Sequence, residues 1–138
     1  MAFMDSCRRD ELDAAYRRAT YRAGEIVLIV GVFSPDADRL LTSLGAESWA
    51  FLTACNPLSE VLPDEENALR MLRLRAGIPA ACLVLEGEGA CPEGRWREAS
   101  YLVLGIREDE ATLLAREHRQ LAYLFGIRGK PAQLVWTA

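Results

Sequence analysis

The sequence predicts an α/β fold of a single domain, in which four helices pack against one mixed β-sheet. Segments with helical spacing of apolar residues alternate with short, β-branched apolar segments, and Gly or Pro falls at most boundaries. A chain of 138 residues with 51% hydrophobic residues is long enough to bury one core. No internal repeat, low-complexity segment or linker divides it, so we expect residues 1–138 to form one domain.

The amino-terminal part predicts a helix followed by a long strand. Asp5 or Ser6 can cap a helix that runs to about Arg18, and Gly24 ends this segment. The residues from Glu25 to Phe33 are nearly all apolar and often β-branched, which is typical of a strand buried on both faces.

Capping and turn residues delimit the elements that follow. Ser34-Pro35 places an N-cap residue before a proline at the first helical position, and Asp64-Glu65-Glu66 favours the positive end of a helix dipole. We predict helices from Pro35 to Leu44, from Asp64 to Gly77 and from Glu108 to His118, strands over Ser48 to Cys55, Ala80 to Glu86 and Arg97 to Gly105, and a turn-rich loop from Gly87 to Gly94.

The segment after Gln120 fits two structures. An apolar stripe through Phe125 would continue the preceding helix, whereas the turn residues from Gly126 to Pro131 favour a β-hairpin into a strand from Ala132 to Trp136. We favour the hairpin, which gives the order α-β-α-β-α-β-β-α-β-β.

Composition argues against several classes of function. The net charge is −4 and the arginines are scattered, so a nucleic-acid partner is not expected. The apolar run from Ile26 to Phe33 is too short to span a bilayer and no signal-peptide apolar region is present, so we expect a cytoplasmic protein without a membrane partner. The cysteines form no Cys-x-x-Cys motif and lack a nearby pair of histidines, which argues against a metal site.

The polar residues after the predicted second strand form the first candidate site. Asn56 and Ser59 flank Pro57, and in one interpretation their side chains only hold a turn. In the other, they face a pocket beneath the amino terminus of the third helix, whose free N–H groups favour an anion.

The start of the third helix supplies the next candidates. Glu66 and Arg70 are spaced i,i+4, which is typical of a surface ion pair, but an arginine fork also suits phosphate or carboxylate. Asn67 is a poor helix former, so its amide is expected to bond backbone or ligand.

Alternating residues of the predicted fourth strand complete the set. Trp96, Glu98 and Ser100 share one face of the strand, so Trp96 offers a stacking surface and Glu98 a carboxylate if that face meets the pocket. Acid or base catalysis would depend on Glu66, Glu88 or Glu98.

The chain resembles the bacterial domain of unknown function 3293 family over nearly its whole length. Where the family pattern has Phe-Gly before the glutamine, this chain has His118-Arg119. The resemblance implies no activity, but it favours the hairpin after Gln120. The residues and segments that carry it are Ala15-Tyr-Arg, Thr20-Tyr21, Ala50-Phe-Leu-Thr-Ala, Asn56-Pro57, Ser59, Glu66-Asn67, Arg70, Gly87, Gly89, Gly94, Trp96, Glu98, Ser100, Leu102-Val103, Leu114-Ala115 and Gln120 to Phe125.

Two functions follow as hypotheses, and the sequence names no cofactor for either. In the first, the domain binds a small anionic or nucleotide-like ligand, which Asn56 and Ser59 orient and Arg70 neutralises. Trp96 stacks on that ligand, and Glu66 or Glu98 forms a hydrogen bond with a hydroxyl or amine group of the ligand. In the second, the protein is an interaction or regulatory module whose polar residues only hold turns. It would bind a protein partner through an exposed apolar patch that includes Trp136.

Overall fold

The computed structural model describes residues 6–138, which form four α-helices and seven strands. No helix within these residues is long and apolar enough to cross a membrane. The helices are α1 (Ser6–Arg18), α2 (Pro35–Leu44), α3 (Asp64–Gly77) and α4 (Glu108–Glu117). The strands are β1 (Thr20–Ala23), β2 (Ile26–Leu28), β3 (Ser48–Leu52), β4 (Leu83–Ala90), β5 (Arg97–Leu104), β6 (Ala122–Ile127) and β7 (Gln133–Trp136).

All seven strands belong to one curled sheet with the order β2-β1-β4-β5-β3-β6-β7. The segments beside its two edge strands meet, because Gly31 N donates to Ala132 O at 2.8 Å and Ala132 N donates to Val32 O at 3.2 Å. The predicted fold class, a single sheet packed with helices, is confirmed. The pairing is antiparallel throughout rather than mixed, since β1–β2, β4–β5 and β6–β7 are hairpins whose connections are too short for a parallel crossover.

The predicted strand from Glu25 to Phe33 is too long, because only Ile26–Leu28 form a strand there. A turn at Gly24, which has a φ of +59°, instead folds β1 and β2 into a hairpin in which Ala23 pairs with Ile26. Residues alternate between buried and exposed in both strands, because β2 lies at the sheet edge and buries only one face. The continuous apolar run therefore reflects an edge strand and an exposed connection, not a strand covered on both sides.

The predicted loop from Gly87 to Gly94 is also corrected, because both glycines at its start lie inside β4. A Cβ at Gly87 would overlap the carbonyl oxygen of Arg22 on β1. These glycines allow neighbouring groups to approach the backbone closely, which is a common reason for glycine within a strand. The hairpin predicted after Gln120 is confirmed as β6 and β7.

The sheet separates two apolar cores. Trp49 and Phe51 of β3 point into the concave face, where they pack with Leu102 and with residues of α2. Ala50 and Leu52 point to the opposite face and pack against α3 and α4. This alternation along an antiparallel strand follows from its two-residue period. α1 contributes no buried residue to either core, so it lies on the protein as an outer element.

The indole of Trp49 lies against Gly126, its cross-strand neighbour on β6. A Cβ at this position would overlap the ring, so we expect Gly126→Ala to lower the free energy of unfolding by about 1–3 kcal/mol through overpacking. Gly77→Ala is the control, because its Cβ would meet only the flexible end of Leu114 at 3.2 Å. Chemical denaturation measures both; a Gly126→Ala protein as stable as the wild type would contradict this packing.

Candidate functional site

A cavity of about 290 Å³ opens at one end of the concave face, between the sheet and α1. Most of its wall is apolar, and aromatic side chains contribute from three strands and from α1. Pockets of this kind, with few polar groups in an apolar wall, are the usual form of small-molecule sites. Its lining includes Leu12, Tyr16, Tyr21, Phe51, Thr53, Asn56, Ser59, Trp96, Glu98, Ser100 and Gln120.

Glu98 is the charged residue of this cavity within the described part of the chain. Its position on β5 places it on the same face as Trp96 and Ser100, as the alternation in the sequence predicts. Glu98 Oε2 accepts a hydrogen bond from Asn56 Nδ2 at 2.9 Å. Burial raises the pKa of Glu98 to about 7, although hydrogen bonds from the side chains of Asn56 and Trp96 oppose this shift. The carboxyl can therefore be neutral or ionised near neutral pH.

The amides of Asn56 and Asn67 bond each other reciprocally. Asn56 N donates to Asn67 Oδ1 at 2.9 Å, and Asn67 Nδ2 donates to Asn56 Oδ1 at 2.9 Å. Asn56 Oδ1 also accepts from Leu62 N at 2.9 Å. This arrangement connects the end of β3 to the first turn of α3. Asn56 reaches the cavity, whereas Asn67 lies behind it and supports Asn56.

Backbone strain is concentrated beside the cavity. Within residues 6–138, positive φ angles outside glycine occur at Asn56, Leu58, Ser59 and Arg119. One backbone hydrogen bond joins two of these residues, because Leu58 N donates to Arg119 O at 2.8 Å. Strained conformations of this kind persist only where the surrounding structure imposes them, and they cluster at functional sites. Arg119 also occupies the position where the resemblance described above leads us to expect glycine, the residue that adopts such angles without strain.

Arg70 and Glu66 do not line the cavity. Arg70 Nε donates to Ala54 O at 2.8 Å and its Nη2 donates to His118 O at 3.1 Å, so the guanidinium joins two loops. These bonds engage the guanidinium with backbone oxygens outside the cavity lining, and the role of Arg70 as a clamp for an anion stays a prediction. Glu66 is exposed, and the structure has no ion pair between Glu66 and Arg70 among the residues it describes.

Reasoning from the sequence missed several cavity residues, and three of them bring polar groups to the wall. The hydroxyl of Tyr16 on α1 is hydrogen-bonded to Ser59, and burial raises the pKa of Tyr16. Tyr21 donates to the carbonyl oxygen of Tyr16 at 2.8 Å, and Gln120 Nε2 donates to Cys55 O at 3.0 Å. Tyr16, Tyr21 and Gln120 are far along the chain from Asn56 and Glu98, and no local motif connects them to these residues. Only the curl of the sheet brings them together.

α1 is held over the cavity by Trp136, which was expected to lie in an exposed patch. Trp136 Nε1 donates to an Asp13 carboxylate oxygen at 3.1 Å, and its ring meets that of Tyr16 edge-on at 5.8 Å. The guanidinium carbon of Arg9 lies 4.4 Å from the centre of the same ring. Trp136 is thus half-buried against α1, and its part in a docking surface stays a prediction.

Comparison with known protein families matches residues 52–123, just over half of the chain, to the family described as "Protein of unknown function (DUF3293)". The matched segment runs from the end of β3 to the start of β6 and includes all seven predicted site residues. No curated protein and no solved structure matches the chain.

The raised pKa of Glu98 predicts a dependence of stability on pH. Because the folded state binds this proton more tightly than the unfolded state, whose pKa is near 4.5, the stabilisation is full below that pH and is lost as the pH rises through about 7. Glu98→Gln should therefore gain stability relative to the wild type between these pH values, by as much as about 3 kcal/mol. Urea denaturation across this range measures the difference. Glu88→Gln, an exposed control, should show little gain, and a pH-independent effect of Glu98→Gln would contradict the shift.

The contacts of Arg70 predict a structural role. Arg70→Ala should lower the free energy of unfolding by about 1–3 kcal/mol, because two partly buried carbonyl groups lose their donors. Arg70→Lys should not restore it, since an ammonium group lacks the planar fork that bridges both oxygens. Arg73→Ala, an exposed change on the same helix, is the matched control. Thermal and urea unfolding give the values; equal stability of the Arg70→Ala and Arg73→Ala proteins would refute this role.

Proposed function

The chain belongs to the DUF3293 family, whose description assigns no activity, and from the geometry of the cavity we propose that it binds a small organic molecule there. In this proposal Glu98 is the group that exchanges a proton with the ligand. The observation that carries it is that Glu98 supplies the one carboxyl group that residues 6–138 place in a largely apolar cavity, which α1 closes on one side.

The pKa of Glu98 supports a role in acid or base chemistry as well as a role in binding. A general acid or base is most effective when its pKa lies near the working pH, and the pKa of Glu98 is about 7. Tyr16 offers a hydroxyl group that burial keeps protonated, and Tyr16 lines the same cavity. The other two candidates for acid or base chemistry, Glu66 and Glu88, do not line it. An enzymatic version of the proposal therefore uses Glu98 alone as the proton acceptor or donor.

The expectation of an anionic ligand is not carried forward. No arginine, lysine or histidine side chain within residues 6–138 lines the cavity, and Arg70 bonds carbonyl groups elsewhere. A buried anion beside Glu98 would lack a counter-charge, which is costly in an apolar site. The small-ligand and stacking parts of the hypothesis stay, because Trp96 and Glu98 both face the cavity.

A protein-interaction role has weaker support. Leu69 and Leu72 lie on one face of α3 and are 57% and 64% exposed, so an apolar strip is present there. An interaction module, like the expected cytoplasmic location, stays a prediction.

Blocking the cavity provides the test of ligand binding. A fragment screen by thermal shift, with neutral, cationic and anionic compounds, should find ligands that raise the Tm by several degrees near saturation. Ala15→Phe should abolish these shifts, because Ala15 lines the cavity and a phenyl ring would fill it. Ala14→Phe is the matched control, since Ala14 is an exposed neighbour on α1 that does not line the cavity.

The Ala15→Phe protein separates binding in the cavity from binding elsewhere on the surface. Hits that persist in the Ala15→Phe protein bind elsewhere on the surface. If every hit behaves in this way, or if no fragment raises the Tm of the wild type, the cavity is not a ligand site and the proposal fails.

A further inference from the structure

We infer that the ligand of this cavity is a small cation, a protonated amine or amidine on an apolar or aromatic body, whose N–H groups bond the carboxylate of Glu98. This inference rests on the proposed function and names the chemical class of its ligand. Three independent features of the described residues support it: the charge of the wall, the state of its hydrogen-bond donors, and its aromatic surface.

The charge of the wall favours a cation. Glu98 supplies a negative charge on the inner surface, and no cationic side chain of the described chain lies there to balance it. Asn56 and Trp96 donate neutral hydrogen bonds to the carboxyl group, but they do not cancel its charge. A ligand that carries a positive charge would compensate the ionised carboxylate, whose burial is otherwise unfavourable. A neutral or anionic ligand leaves that cost in place.

Most hydrogen-bond donors of the wall are already engaged with protein groups. Thr53 Oγ1 donates to Ala99 O at 2.7 Å, and Ser100 Oγ donates to Glu98 O at 3.2 Å. Gln120 Nε2 donates to two carbonyl oxygens, at 3.0 and 3.2 Å.

Three further hydroxyl groups of the wall are also paired with protein groups. Tyr21 donates to Tyr16 O, and one hydrogen bond joins the hydroxyl groups of Ser59 and Tyr16, so one of those two hydrogens stays available. A ligand rich in acceptors would therefore find few donors. A ligand rich in donors finds the carboxylate oxygens of Glu98, which can accept further bonds.

The aromatic wall supplies the third feature. Tyr21 and Phe51 meet edge-on at a centroid distance of 5.5 Å, and Trp96 lies beside them across Gly89. A Cβ at Gly89 would lie 3.1 Å from Tyr21 Cδ1 and 3.3 Å from Trp96 Cη2, so the absence of a side chain lets both rings approach. Aromatic faces attract ammonium and amidinium groups, and they also pack against an apolar ligand body.

Binding of such a cation is expected to depend on pH. The titratable and charged groups around Glu98 and in the cavity wall are Tyr16 from α1, Tyr21 from β1, Cys55 after β3 with Arg70 behind it, Cys91 in the turn after β4, and Tyr123 from β6, whose pKa is also raised by burial. Burial raises the pKa values of Tyr16, Tyr21 and Cys55, so these three groups stay neutral across the range in which Glu98 titrates. A Cys91→Ser protein measures the contribution of that thiol.

Three phenyl compounds of similar size and different charge test the inference: benzylammonium, benzyl alcohol and benzoate. Isothermal titration at a pH just above 7 should give benzylammonium an affinity about 10- to 100-fold higher than benzyl alcohol, as for one charge-assisted hydrogen bond, and benzoate should bind most weakly. Glu98→Gln should remove the preference for the ammonium compound, whereas Glu88→Gln, an exposed change outside the cavity, should retain it. Below the pKa of Glu98, the affinity for benzylammonium should fall about tenfold per pH unit.

The outcomes distinguish this inference from the proposed function. If benzyl alcohol or benzoate binds as well as benzylammonium, and Ala15→Phe abolishes that binding, the cavity is a ligand site but the cationic class is wrong. If the three compounds fail and the fragment screen yields only neutral or anionic cavity ligands, the inference is likewise overturned. If no compound binds in the cavity, the proposed function and this inference fail together. The ranking of the three compounds is measured on the wild-type protein, so it does not depend on the folding of the Glu98→Gln variant.

Discussion

The side-chain amide of Asn56 joins three parts of the chain that are otherwise separate. Its Oδ1 accepts from Leu62 N and from Asn67 Nδ2, and its Nδ2 donates to Glu98. The loop after β3, the first turn of α3 and the carboxyl group on β5 therefore depend on one residue. Asn56 adopts a left-handed conformation with a φ of +48°, which asparagine tolerates better than most residues. Both the backbone shape and the amide chemistry limit what can occupy this position.

Close approach of chain segments shapes the cavity as much as its polar groups do. Gly87 and Gly89 lie in β4, where side chains would collide with Arg22 O or press on the rings of Tyr21 and Trp96. Their absence allows the sheet to curl and the rings to line the concave face. α1 then covers the open side without burying a residue in either core, since its contacts are mainly with Trp136 and the cavity wall. α1 is therefore an outer element that few apolar contacts stabilise.

A carboxyl group in such surroundings lowers stability when it is ionised. Burial disfavours the charged form of Glu98, and two neutral donors offset only part of that effect. Natural proteins retain strained or desolvated groups mainly where function depends on them. The strained backbone at Leu58, Ser59 and Arg119 lies at the same end of the sheet. Desolvation and strain thus coincide at one place, which is the physical basis for regarding this cavity as the site.

Local chemistry in the sequence determined α2, α3, α4 and the final hairpin, because capping residues, proline, glycine and helical periodicity act within a few residues. It also placed Trp96 and Glu98 on one face of a strand, since that follows from the two-residue period. The hairpin at Gly24 was missed, because a continuous apolar run fits a buried strand and an edge strand equally well.

Only the tertiary structure decided which candidates meet. Arg70 turned away to bond Ala54 and His118, whereas Tyr16 and Gln120 joined Glu98 from distant parts of the chain. Strand order and sheet curvature arise from contacts between residues that are remote in sequence, and no local pattern encodes them. The pKa of Glu98 is also decided by the tertiary structure, because it depends on burial by α1 and by neighbouring strands.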